Sequence, residues 1–310
     1  MKKHQLFIKK CKQEDGNAII FVAMFIVVFC GFVALVVDGG SLFLEKSKLQ
    51  KSLDASALAG AQDLLSSQGD AEVMAMEYGA KNGYSIAGAE VWTGDHFIQL
   101  DKTTNLSLTF AKVLGINTAE VSAMSRAELK GNLIKSNDVV PIGIEKSGFK
   151  RNESITLHFQ PGNKNNEPQN GNFGYLDIEH PEYNTTRDKI KYGVTVEVSG
   201  DMYESTKTGM RWGQVDQGVQ YRINLDSSKN HCQQYKTANS SCERVMILPV
   251  VKSYSEVSGK SNVKIVGFAA FWVESISQHD VRGRFIEMIA SGEFGNKGND
   301  FGVYGVRLVQ

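Results

Sequence analysis

From Ala18 to Val37 the chain runs for 20 residues without a polar side chain, and no other feature constrains its folding as strongly. As an α-helix this run spans ~30 Å, the hydrocarbon thickness of a bilayer. Fourteen of the 20 residues are Ile, Leu, Val or Phe, each favouring insertion by roughly 0.3–0.6 kcal/mol. A buried helix of a soluble domain would need a polar face, and the run has none. The expectation is a transmembrane helix through Ala18, Phe21, Gly31 and Val37. A secretory signal peptide has a shorter apolar region with a small-x-small cleavage site close behind it. Here the nearest such site, Ala57-Leu58-Ala59, lies about 20 residues further on, beyond Glu45, Lys46, Lys48 and Lys51, so retention of the span is expected.

Lys2, Lys3, Lys9, Lys10 and Lys12 precede the run, and Lys46, Lys48 and Lys51 follow it. The positive-inside rule then makes residues 1–15 a basic cytoplasmic tail and places residues 38–310 outside, in a single-pass topology. Asp38-Gly39-Gly40 reads as the membrane exit, where two glycines permit a bend. Ser41 reads as a cap for a new helix start.

Residues 42–65 continue with helical periodicity: Leu42, Leu49, Leu53, Ser56, Gly60 and Leu64 share one face. Within it, Ser56 and Gly60, and Ala57 and Ala61, form small-x-x-x-small pairs that let another backbone approach closely. The packing face is therefore Leu49, Leu53, Ser56, Ala57, Gly60 and Ala61. It can serve the chain's own domain or neighbouring subunits, including a second copy.

Gly16-Asn17, the apolar run, Asp38, Leu49-Gln50 and the segment Asp54–Ala61 together resemble the N-terminal region of TadE/TadG-like proteins of the Flp (Tad) type IV pilus assembly system. Further on, Ala80–Tyr84 and Leu106–Leu129 resemble the extracytoplasmic module of that family, in which a strand leads to a short helix ending at Gly115 and then to another strand. Gly171–Ile178 resembles stretches in bacterial members. The resemblance implies a bacterial cytoplasmic-membrane protein whose partners are the bilayer and pilus or secretion assembly proteins. Two departures narrow it. A prepilin carries Glu five positions after its cleavage glycine, and that place, counted from Gly16, is Phe21, so processing and polymerisation as a pilin are not expected. The von Willebrand-type domain of longer TadG-like proteins needs Asp-x-Ser-x-Ser, and Asp226-Ser227-Ser228-Lys229-Asn230 lacks the last Ser.

The expected domains are the tail (1–15), the span with its alanine-rich extension (16–65), a small α/β module (66–131) and a β-rich domain (132–310). Residues 70–82 read as a helix with Val73, Met76, Tyr78 and Ala80 inward. Glu90–Leu100 reads as a hairpin turning at Gly94-Asp95. Strands are expected at Glu153–Phe159, Tyr192–Ser199, Val219–Leu225, Arg244–Tyr254, Asn262–Ile276 and Gly302–Val309. The fold class is α+β: a transmembrane helix with a helical extension, then an antiparallel, sandwich-like extracytoplasmic domain.

Little in the sequence points to catalysis. Lys+Arg and Asp+Glu both number 34, which argues against a nucleic-acid surface. His96, His158, His180 and His279 are scattered outside any His-Glu-x-x-His, and no Gly-x-Ser-x-Gly elbow occurs. Gly259–Ser261 lacks the upstream glycine of a phosphate loop and reads as a turn, and Asp177–Glu182 reads as a solvated loop. Cys232 and Cys242 close a short loop suited to a disulfide outside the cytoplasm. Free thiols, or a metal site with neighbouring His231, are the alternatives, the latter needing two more ligands. Trp92, Trp212 and Trp272 suit core or hairpin packing better than a sugar platform.

The expectation is a non-enzymatic anchored protein without a cofactor, acting by protein contacts. The runner-up is a membrane-tethered adhesin or wall-binding module. An anchored hydrolase would require His and carboxylates to converge in one pocket.

Overall fold

A computed structural model describes residues 15–158, 173–198, 203–205, 212–254, 262–295 and 299–309. The basic tail to residue 14, the phosphate-loop-like Gly259–Ser261 and the start of the Gly171–Ile178 resemblance lie outside the described residues.

The apolar run and its extension form one helix, α1 (Asp15–Asp63), of 49 residues, or ~73 Å at 1.5 Å per residue. The helix is continuous through Gly39-Gly40, where the glycines permitted a bend. A Cβ at either glycine would meet nothing within 4 Å, and the helical assignment carries through both. Ser41 starts no helix; its hydroxyl donates to the carbonyl of Val37 at 2.9 Å, one turn back.

Helix α2 (Gln68–Lys81) turns back along the end of α1, with Ser67 Oγ accepting from the N–H of Asp70 at its N-cap. The inward row is Ala71, Ala75 and Gly79, whereas Val73, Tyr78 and Ala80 are exposed and Met76 is half-buried. That corrects the inward set read from the sequence. Close helix contact selected the small residues over the large ones: a Cβ on Gly60 of α1 would lie 2.7 Å from the carbonyl oxygen of Ala71 and 3.0 Å from Cβ of Ala75.

Next come β1 (Val91–Gly94), β2 (Phe97–Ser107) and β3 (Thr118–Lys130), an antiparallel meander. Gly94 pairs with Phe97, so the hairpin turns at Asp95-His96, one residue later than expected. Between β2 and β3 a 3₁₀ turn (Ala111–Leu114) ends at Gly115 in the left-handed region, φ 84°. On β3, Val121, Ala123, Ser125, Ala127 and Leu129 alternate inward. With Ile98 and Leu100 of β2 they form the floor on which α1 and α2 lie.

The second sheet is built from β4 (Leu133–Val139), β5 (Ile142–Glu145), β6 (Ser154–His158), β7 (Phe173–Tyr175), β8 (Val194–Glu197), β9 (Tyr203–Ser205), β10 (Val245–Val251), β11 (Asn262–Ser277) and β12 (Asp280–Ile286), with short strands β13 (Met288–Ile289) and β14 (Glu293–Phe294) following. Its spine runs β14-β4-β10-β11-β12-β6, antiparallel except where β10 meets β4 and β5. Every residue of β10 is buried, because both faces of the sheet are covered. Met246, Leu248 and Val250 face α3 (Thr186–Tyr192) and α4 (Trp212–Leu225). Val245, Ile247 and Val251 face a second core that includes Cys232, Cys242, Met288 and Val303.

Helix α4 corrects the strand expected at Val219–Leu225. Val215, Gly218, Val219 and Arg222 form its buried face, a period that begins upstream of the segment read as alternating. The final strand, β15 (Val303–Val309), leaves the second sheet and pairs antiparallel with β3. The first sheet therefore has the order β1-β2-β3-β15-β13 and joins residues 91–130 to residues 288–309.

Candidate functional site

The two halves of α1 have opposite surroundings. From Ile19 to Val37 nearly every side chain is exposed, although this is the most apolar stretch of the protein. The helix is long and apolar enough to cross a membrane. Asp38 is the first buried residue beyond the run, at 7% exposure. Its carboxylate accepts the backbone N–H groups of Thr109 at 2.8 Å, Phe110 at 3.0 Å and Ala111 at 2.7 Å. An anionic acceptor for three amides at the start of the 3₁₀ turn fastens the β2–β3 tip to the end of the apolar run.

Beyond Asp38 the helix is held by its domain. Leu49, Leu53, Ser56, Ala57, Gly60 and Ala61 are all buried, and the aliphatic members join one core with α2 and the first sheet. The small-residue pairs thus meet α2 and β2 of the same chain; Cδ1 of Ile98 approaches within 2.7 Å of where a Cβ on Gly60 would stand. Gln50 has a separate role. Along β3, β15 pairs with Arg126–Lys130 among the described residues, and α1 lies beside the Ser122–Met124 stretch. Gln50 Nε2 donates to the carbonyl of Met124 at 2.8 Å and to Asp54 Oδ1 at 2.9 Å. Lys46 Nζ donates to the carbonyl of Ser122. Two polar helix side chains thus satisfy carbonyls that a further strand would otherwise pair. One turn earlier, Glu45 accepts the hydroxyl of Tyr84 at 2.9 Å.

Residues 16–63 match the Tad family model, described as "Putative Flp pilus-assembly TadE/G-like". The Tad segment and α1 therefore coincide almost residue for residue. No curated protein and no solved structure matches the chain. Within the Tad segment, Asp38 ties the β2–β3 tip, Leu49 enters the core, Gln50 covers the sheet edge and Ser56 to Ala61 admit α2. The Tad segment thus carries both the apolar run and the whole attachment of that run to its domain. The role of Asp38 escaped the sequence reading because its partners lie 71–73 residues away.

Remote from α1, Cys232 and Cys242 form a disulfide with Cα atoms 5.5 Å apart. His231 and the two sulfurs offer ligand atoms within 4.8 Å of one another, but the disulfide consumes both thiolates that a metal would need. His231 Nε2 instead lies 3.0 Å from Ser241 Oγ. Trp272 is buried beside this loop and donates through Nε1 to the carbonyl of Cys232 at 2.9 Å. Trp92 is exposed on β1, and Trp212 opens α4 against His279. The other histidines disperse likewise: His96 lies against Tyr304 and His180 stacks on Tyr183.

A cleft of about 400 Å³ opens beside the disulfide, lined in part by Lys135, Asp138, Glu243 and Glu293. Lys135 is paired with Glu197 at 2.9 Å and Glu293 at 3.2 Å, and Asp138 with Arg222. Arg222 is buried; its Nε donates to the carbonyl of Ile190 at 2.6 Å and its Nη1 to that of Glu243 at 3.2 Å. Arg222 thereby holds α4 to α3 and to the second sheet.

Proposed function

We propose that the protein is a non-enzymatic assembly component of a Tad pilus or secretion system, anchored by Ala18–Val37 in the cytoplasmic membrane. In this reading the N-terminus is cytoplasmic and the two-sheet domain stands outside, where it contacts other assembly proteins. The observation that carries it is the coincidence of the Tad match with α1, a helix exposed and apolar over one half and built into its domain over the other. A flexible tether would serve a binding module as well. A continuous helix fixed through Asp38, Gln50 and Gly60 transmits position between the membrane and the domain, as an assembly platform requires. The packing face of α1 is occupied by the chain's own α2 and sheet, so partner contacts fall on other surfaces.

The test is replacement of residues 1–37 by a cleavable signal peptide in the native host, which releases the domain into the same compartment. Loss of surface pili with normal levels of folded domain is the expected outcome. Pili at wild-type number would refute a role that depends on anchoring.

A further inference from the structure

The β2–β3 tip carries an unusual surface. Val113 and Leu114 are 87% and 81% exposed, and Phe110 and Ile116 are exposed beside them. Four large apolar side chains within seven residues are a costly arrangement in water. Lys112, also exposed, is the tip's single charged side chain. The tip's height relative to α1 is fixed, because Asp38 holds the amides of Thr109, Phe110 and Ala111. Asp38 follows the last residue of the apolar run, so these side chains stand at the level where that run ends. Phe43 and Leu44, both exposed, lie about 8–9 Å further along α1.

We propose that the Phe110–Ile116 tip inserts into the headgroup–acyl boundary of the same bilayer that Ala18–Val37 crosses. This rests on the transmembrane reading above. Its occupant is lipid, because the patch is continuous with the span and level with its end. Membrane interfaces accept apolar side chains to a depth of about 5–10 Å, with a lysine reaching to headgroup phosphates. The consequence is mechanical. One helix alone can tilt and rotate in a bilayer. A helix with a second insertion rigidly fixed at its foot has one preferred tilt and one preferred azimuth, and so presents the domain to its partners in one orientation.

The experiment uses the full chain in liposomes, with Cys11 and Cys30 replaced by Ser and the Cys232–Cys242 disulfide retained. A single cysteine, L114C, carries an environment-sensitive fluorophore, and lipids bearing a nitroxide near the headgroup act as quencher. Parallel labels are D95C, at the far end of β2 roughly 33 Å away, and F25C within the span. The expected result is at least about twofold quenching at position 114, none at 95, and quenching at 25 by nitroxide placed deep in the acyl chains. Adding V113E should abolish the signal at 114 and leave that at 25 unchanged. Quenching at 25 without quenching at 114 overturns the tip insertion while the span stands, and leaves a protein partner as the cover for this patch. Absence of quenching at both positions overturns the span and the tip together.

Discussion

Asp38 Oδ2 lies 2.7 Å from the backbone nitrogen of Ala111, 73 residues further along the chain. The first polar side chain after the apolar run is thereby spent on fixing a loop of the domain to the helix. Hydrogen bonds to a charged acceptor contribute roughly 1.5–3 kcal/mol. Replacing Asp38 with Ala leaves three amides without that acceptor. Hydrogen exchange at Thr109–Ala111 should accelerate about 10–100-fold, and Asp38→Asn, which keeps one oxygen, should fall between. Unchanged exchange in the Ala variant would show that the tip is held by other contacts.

Gly60 sits where α1 and α2 touch. A methyl group there improves helix propensity by about 1 kcal/mol. It also meets a backbone carbonyl at 2.7 Å, and a backbone atom cannot rotate away as a side chain can. Overpacking of this kind costs about 1–3 kcal/mol. Gly60→Ala should lower the thermal midpoint of the detergent-extracted chain followed by circular dichroism, and Gly60→Val should lower it further. A raised midpoint would mean that the two helices are further apart than described.

Arg222 is a buried cation serving Asp138, Ile190 and Glu243 at once. Arg222→Lys keeps the charge but loses the planar fork that reaches several acceptors together. Arg222→Leu leaves the carbonyls of Ile190 and Glu243 without this donor, while Asp138, half exposed, turns to water. Each lost hydrogen bond to a charged group costs roughly 1.5–3 kcal/mol. Denaturant midpoints should fall in the order wild type, Lys, Leu. Equal midpoints for the Lys variant and wild type would argue against the multivalent role.

Asp300 predicts a pH dependence. Burial pushes its carboxyl up, but the N–H of Gly302, the hydroxyl of Tyr304 and the Arg151 guanidinium outweigh burial and hold it below the ordinary value of 3.8. The folded state therefore releases this proton more readily than the unfolded chain does. The resulting stabilisation is complete above the unfolded value and is lost as pH falls through the folded one. Asp300→Asn should narrow the stability difference between pH 6, above the unfolded value, and pH 3, below it, where the stabilisation is being lost. A difference identical to wild type would place the acid sensitivity elsewhere.

Several features were legible from local pattern. The apolar run at Ala18–Val37, the helical face from Leu49 to Gly60 and the strands around Val245–Val251 and Asn262–Ser277 each follow from a period within one segment. The Tad resemblance was legible for the same reason, since its residues lie in one continuous helix. The inward face of α2 was misread, and α4 was read as a strand over Val219–Leu225, where two periods fit the same letters. In α2 the large residues suggested one face, and the neighbouring backbone of α1 selected the small ones.

The sequence by itself determined that one helix is apolar enough to leave water, and that a β-rich domain follows it. Those are properties of residue type and spacing, which act over a few turns or strands. Only the tertiary structure decided that the helix continues unbroken through Gly39-Gly40, that Asp38 grips Ala111, and that β15 returns to β3. Each depends on groups far apart in the chain being brought within a few ångströms. Their attraction is short-ranged, so no pattern in either segment alone announces it.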